Sequence, residues 1–519
     1  MYGFGYRYSD GVAPPPCLDH DAAVTLYDSF HEVKSRRPMQ VSLGPHVPGL
    51  VMPMPDAYDG PTLLEGSKAR FAATAPKVAR AVLRELRSFT IDFVRRNFVP
   101  IPANEDVSVA RWLRENGTYS LKRKVELQRV WDDAKRSVSK RDMDVKLFTK
   151  VENYPSCKHA RGINSRTDVA KCYFGPYFHL IEQIVYENPA FIKHVPVRQR
   201  PKYIKDMLAR YPGPYLETDY SQFEKHFTPA IMNAVEMQLY RYMLSNFPAV
   251  FRDIKRALTG TNRCYANSFM LKVKGKRMSG EMCTSLGNGF TNLVLANFIA
   301  HRKGGVIQGV VEGDDGLFHC TVPLSSADFL ECGFTIKMLQ HDDLLQSSFC
   351  GLIMSGDLST MTDPVKVMLG VGWTSSNLRM CNDVVLKGLL RAKALSLAYE
   401  HPQCPILYRL ALSLLVRTEG VVPRFSSNWY ESSLLQEVER FKEETQLMLQ
   451  DGPSRRTRID FARVFGIPIP VQLRVEQELS EWHGGALDGP WTRYVCREVH
   501  PDCRMYASRY VRGSKCYPP

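Results

Sequence analysis

An α+β fold with a helical C-terminal part is what this 519-residue sequence predicts. Three observations point there. After Leu147 short apolar strand runs alternate with helical runs, from about residue 356 the pattern turns largely helical, and residues 1–60 are rich in proline and glycine. At 44% hydrophobic the chain can bury a large core, and its length suggests three or four subdomains of roughly 100–200 residues each.

Taken in order, residues 1–60 carry PPP at 14–16 and Pro38, Pro45, Pro48, Pro53 and Pro55, which predicts an extended arm over the body, because proline fixes φ and removes a donor. Pro61 to Phe98 reads as helical, with Val82, Leu83, Leu86, Phe89, Phe93 and Val94 near one face. YLETDYSQFEKHF reads as a strand ending in a polar turn, and Pro229 opens a helix with Ile231, Val235 and Leu239 recurring every four residues. CYANSFMLKVKGKRM reads as a hairpin turning at Gly275, TNLVLANFIAH as a helix, and VIQGVVEGDDGLFHC as two β runs around an acidic turn.

The net charge of +14 favours a polyanionic partner, either nucleic acid or an anionic membrane surface. No stretch approaches the roughly 20 apolar residues that span a bilayer, so a soluble chain without a transmembrane segment is expected. The N-terminus lacks the basic segment and apolar run of a signal peptide, and the 13 scattered cysteines are expected to stay thiols in a reducing compartment. Cys496, His500, Cys503 and Cys516, with His483 upstream, could surround zinc. Their irregular gaps and the lack of a CxxC knuckle favour unrelated tail residues.

The acidic turn Glu312-Gly313-Asp314-Asp315-Gly316 is the most distinctive local feature. Two adjacent carboxylates at a hairpin tip repel unless a cation lies between them, and hard oxygen ligands select Mg²⁺ or Mn²⁺. Asp219 ends another strand. If the two strands are neighbours, Asp219, Asp314 and Asp315 can share two ions about 4 Å apart, the clamp for in-line phosphoryl displacement. Between them, Ser279 and Gly280 form a loop before a helix that places Thr284 and Asn288 on one face, where they could read a ribose 2′-hydroxyl. Upstream, Lys146, Lys150, Lys158, Arg161 and Arg166 suit a nucleoside triphosphate, and downstream Lys337 could protonate a leaving pyrophosphate. Taken singly, each has a plainer reading: a polar turn, a helix cap, a solvated charge run.

In order, the segments ARGINSR, DYSQFEKH, SGEMCTSLGN, GDD, GFTIK and SSFCG resemble the motifs of viral RNA-dependent RNA polymerases of positive-strand viruses, most of all the tombusvirus-like enzymes, over residues 145–355. The resemblance implies a right-hand fold with fingers, an RRM-like palm with an antiparallel sheet, and a helical thumb. It implies fingers over 61–200, a palm over 201–355 with a finger insertion at 228–270, and thumb and tail over 356–519. The implied catalytic and metal residues are Asp219, Asp314 and Asp315, with Lys337 as proton donor. Nucleotide binding falls on Lys150, Lys158, Arg161, Arg166, Ser279, Thr284 and Asn288, and the primer grip on Phe349 and Cys350. Glu224 stands where the family has aspartate, and its longer carboxylate is expected to reach Asn288 or the ribose. RNA template, nascent strand and nucleoside triphosphates are the implied partners. A membrane-anchored viral replication protein would bring the chain to replication complexes in the host cytoplasm.

Two rivals share part of the pattern. A reverse transcriptase typically has an aromatic gate and Tyr-x-Asp-Asp, where this chain has Gly313 before its aspartates. A non-enzymatic RNA-binding protein explains the charge but leaves the acidic positions unexplained.

Overall fold

The computed structural model describes residues 1–7, 17–32, 37–211, 214–375, 382–424 and 429–513, the side chains of 429–433, 435 and 493 excepted. The PPP run and Cys516 lie outside the described residues. The architecture is α+β. At its centre is a four-stranded antiparallel sheet in the order Ile336–His341, Tyr215–Tyr220, Asp315–Cys320, Ile307–Glu312.

Strand alternation gives this sheet two buried faces. Leu216, Tyr220, Val311, Phe318 and Cys320 join the largest core, which also holds helices Thr284–Arg302 and Arg80–Asn97. Tyr215, Val310 and Leu317 face the other way, onto Ile204 and Leu208 of helix Arg200–Leu208 and onto Phe349 and Leu352 of a short hairpin. Helix Thr284–Arg302 is buried on nearly all sides, from Leu286 to Ala296, because sheet and helices enclose it. Each fully buried Leu or Phe there contributes roughly 1.5–3 kcal/mol, which fixes the sheet against the helix.

A second sheet has five strands in the order Ala23–Leu26, Phe269–Lys274, Thr261–Tyr265, Val145–Thr149, Gly162–Arg166. The hairpin expected to turn at Gly275 turns instead at residues 266–268, and Gly275 (φ +65°) ends its second strand. A side chain at Gly275 would strike Pro229, 2.8 Å from an added Cβ. The expected insertion 228–270 also divides. Its helices Pro229–Ala234, Glu236–Met243 and Pro248–Thr259 join the core behind the central sheet, whereas its strands join the five-stranded sheet.

The helix expected across Pro61–Phe98 is interrupted. Gly60–Ser67 runs into a wider turn at Lys68–Ala72, and Arg80 starts a new helix beyond Pro76, whose ring cannot sit in a helix interior. The arm is less free than its prolines suggest. Tyr2–Phe4 lies between Pro38–Ser42 and Val511–Arg512, and Trp373–Ser375 completes that sheet.

The C-terminal part is mainly helical. Helices Asp383–Glu400, Leu407–Arg417, Arg455–Phe465 and Ile469–Glu481 surround one core, and the Asn382 side chain caps the first by accepting from Val385 N. Cys496 and Cys503 are buried in that core, and the Cys503 thiol donates to the Pro155 carbonyl at 3.4 Å. His500 accepts from Asp502 N, capping helix Pro501–Tyr510.

Candidate active site

The pairing of the central sheet brings the acids together. Thr218 is the register partner of Gly316, so Asp219, one residue on, stands across from Asp315. On its other side Asp219 pairs with Lys337. Glu312 and Asp315 are themselves partners, so Gly313 and Asp314 form a two-residue turn with positive φ at Gly313, as a type II′ hairpin requires. Asn292 locks this arrangement from below: its amide donates to the Asp314 carbonyl and accepts from the Tyr220 hydroxyl, both at 3.1 Å.

Asp219, Asp314 and Asp315 have exposed side chains at one end of the central sheet. Partial desolvation by the surrounding protein pushes the Asp315 carboxyl up to about 6, with Asp314, Asp219 and Glu312 adding like-charge repulsion. Desolvation and then Glu224 raise Asp314, while Arg70 and Arg161 pull it back. The three carboxylates do not close around a single point as tightly as Asp19, His20 and Asp21 do elsewhere. Negative charge concentrated on hard oxygen donors, with Asp314 and Asp315 raised in pKa, fits a divalent cation better than it fits any protein partner present. The Asp19 group differs, because Asp19 already pairs with Lys276 at 3.2 Å.

Arg70 and Arg161 act on Asp314, and further cations group around Arg161. Lys150 and Arg161 pair with Glu152 at 2.8 and 3.4 Å, and burial, which would raise Glu152, is outweighed by these two so that its carboxyl is lowered. Lys158 lies over the Tyr154 ring at 4.3 Å and is lowered by burial and by Arg161. Arg166 departs from expectation. Its strand Gly162–Arg166 turns it inward with Asn164, and its buried guanidinium meets Glu281 at 2.5 Å and the Ala257 carbonyl and Asn262 at 2.8 Å. A guanidinium so enclosed supports the Ser279 loop and is not offered to the acids.

Of the two contacts expected for Glu224, that to Asn288 is not made: Glu224 reaches Arg70 at 2.6 Å, and the Asn288 amide oxygen accepts from Arg277 Nε at 3.0 Å. Arg277 is wholly buried, paired with Glu236 at 2.5 Å and set over the Phe227 ring at 4.3 Å. The Asn288 amide is therefore oriented with nitrogen as its remaining offer. Ser279 and Thr284 hydroxyls donate to the carbonyls of Gly162 and Met278 at 3.1 and 3.0 Å, so they hold the loop.

Phe349 is buried under the sheet, and Cys350 and Gly351 form the tip of its hairpin, both at positive φ. The Cys350 thiol donates to Asp315, whose charge raises the thiol pKa after burial does. Glu217 anchors the hairpin by accepting from Ser348 N and Oγ at 2.8 and 2.7 Å. Sequence reasoning missed Arg70, Glu152, Glu217, Glu236, Arg277 and Asn292. Of these only Asn292 carried a signal, four residues after Asn288 on the same helical face.

A family model described as viral RNA-dependent RNA polymerase matches residues 67–339, more than half of the chain. The chain is also similar to proteins named RNA-directed RNA polymerase. It is 24% identical over 339 residues to that of Oat chlorotic stunt virus, covering 57% of this chain and 42% of the relative. It is 27% identical over 205 residues to that of Maize chlorotic mottle virus (35% and 20% covered), and 26% over 293 to that of Greasy grouper nervous necrosis virus (53% and 28%). The chain thus spans less than half the length of the curated relatives it matches.

Proposed function

The chain belongs to the viral RNA-dependent RNA polymerase family, and from that premise we propose that it copies an RNA template into RNA by adding ribonucleotides to a 3′ end. The observation that carries the reading is the convergence of Asp219, Asp314 and Asp315 on one exposed sheet end, with Arg161 acting on Asp314 and with Lys150 and Lys158 grouped around Arg161. In this reading the central sheet and its helices are an RRM-like palm, the five-stranded sheet belongs to fingers, and the C-terminal helices form a thumb.

Mg²⁺ or Mn²⁺ held by the three aspartates would lower the pKa of the attacking 3′-hydroxyl and neutralise the departing pyrophosphate. The protein's own groups do the rest. Lys150, Lys158 and Arg161 neutralise the triphosphate. Lys337, exposed and in register with Asp219, gives a proton to the leaving pyrophosphate. The Asn288 amide and Glu224 meet the ribose, and the Phe349–Cys350 hairpin supports the primer end. Template and nascent strand follow the basic walls through phosphate contacts.

Purified protein with an RNA template and Mg²⁺ is expected to make template-directed RNA from ribonucleotides and little product from deoxyribonucleotides. Asp314→Asn should lower the rate on the order of a thousandfold or more, because the lost charge acts on the transition state. DNA synthesis would indicate a reverse transcriptase. RNA binding without synthesis, or full activity in Asp314→Asn, would overturn the reading.

Among the described residues no helix is long and apolar enough to cross a membrane. Recruitment to membrane-associated replication complexes in the host cytoplasm, through a membrane-anchored viral replication protein, is a separate part of the proposal. Flotation of the chain with membranes when expressed alone would contradict it.

A further inference from the structure

We propose that Arg70 is a positioning residue for sugar selection: it holds one carboxylate oxygen of Glu224 and thereby turns the other toward the 2′-hydroxyl of an incoming nucleotide. The inference rests on the polymerase reading above and adds to it a residue from outside the expected motifs.

The geometry is specific. Arg70 Nη2 lies 2.6 Å from Glu224 Oε1, with the two side chains 23% and 10% exposed. Glu224 Oε2 is buried and accepts no hydrogen bond from any of the described residues. A buried carboxylate oxygen without a donor is costly, and a ligand hydroxyl that supplies the donor removes that cost. The pair sits at the reaction centre, since Glu224 and Arg70 both act on the Asp314 carboxylate, and Arg70 also acts on Lys158. Glu224 is tied to the sugar-facing helix as well, because its carbonyl accepts from the backbone N–H of Arg277 at 3.3 Å, the residue that orients Asn288.

Arg70 is itself held in place. It lies in the wide turn Lys68–Ala72, between Gly66 and the buried Phe71. Gly66 packs so closely on the Ala160 carbonyl that an added Cβ would sit 1.9 Å from its oxygen. The turn is thereby braced against the segment bearing Arg161. An aspartate at 224 would be shorter by one methylene, about 1.5 Å, and could not keep the Arg70 contact from the same backbone. Glutamate here and Arg70 thus form a matched pair, which gives the departure from the family's aspartate a physical reason.

Single-nucleotide incorporation on an RNA primer–template, with ATP, 2′-deoxy-ATP and 3′-deoxy-ATP, tests this in the whole chain. Arg70→Ala should lower the ATP to 2′-deoxy-ATP ratio of kcat/KM on the order of ten- to a hundredfold, mainly by slowing ATP. Arg70→Lys should recover part of that ratio. Glu224→Asp, which keeps the charge but loses the reach, should lower it too. The ATP to 3′-deoxy-ATP ratio should stay constant.

Equal losses with ATP and 2′-deoxy-ATP would make Arg70 a scaffold or triphosphate contact and overturn the inference, as would a change confined to the 3′-deoxy ratio. Should Arg70→Ala fail to fold, Arg70→Lys and Glu224→Asp decide: an unchanged 2′ ratio in both refutes the pairing. Wild-type protein that incorporates no nucleotide refutes the polymerase reading itself, which separates the two failures.

Discussion

Two groups of charges lie close together at the centre of this molecule and are treated in opposite ways. At the end of the central sheet, Asp219, Asp314 and Asp315 are exposed, and Asp314 and Asp315 are raised in pKa by their surroundings and by other acids. Behind the Ser279 loop, Arg166–Glu281 and Arg277–Glu236 are sealed from solvent, each acid matched by a guanidinium at 2.5 Å. Like charges left facing one another are a standing cost that only a ligand of opposite sign relieves. Buried pairs of opposite sign add little net stability compared with apolar packing, but losing one partner strands the other. The first arrangement suits binding and chemistry, whereas the second holds the loop and the Asn288 amide in one geometry.

The comparison can be broken by removing one charge from each group. Arg166→Ala should lower stability by about 3–5 kcal/mol in urea unfolding, since Glu281 is left buried and unpaired. Asp314→Asn should leave stability unchanged or slightly raised. Equal destabilisation by the two would erase the distinction. A smaller effect sharpens it: Arg161→Ala should raise the apparent KM for nucleotides about tenfold with stability unchanged, because its side chain is 39% exposed and its partner Glu152 keeps Lys150. A uniform loss of RNA affinity with KM unaltered would move Arg161 to the RNA path instead.

Much of the site was legible because its signals are local. The glycine-flanked aspartates required a tight hairpin, and the strand bearing Asp219 and the helix bearing Thr284 and Asn288 followed from apolar spacing. What stayed hidden depends on partners far apart in the chain. Glu224 and Arg70 are 154 residues apart, and the strand Tyr2–Phe4 pairs with Val511–Arg512. The inward turn of Arg166 was only half legible. Alternation in GINSR puts Asn164 and Arg166 on one face, but nothing local says that the polar face is the buried one. The break before Arg80 had a signal in Pro76, outweighed by the apolar spacing on either side.

The claim that the open acids form a cation site is tested most directly by titrating Mn²⁺ into the protein without nucleotide, followed by electron paramagnetic resonance. Wild type should bind at pH 7, and Arg166→Ala, if folded, should bind equally. Asp314→Asn should bind at least tenfold more weakly, since a charged ligand is gone. With Asp315 pushed up to about 6, its carboxylate is free above that pH and competes with a proton below it, so affinity should fall by up to tenfold per unit as pH drops beneath 6. Unchanged binding in Asp314→Asn, lost instead on replacing Asp19 or Asp21, would put the cation at the other acidic cluster and contradict the account.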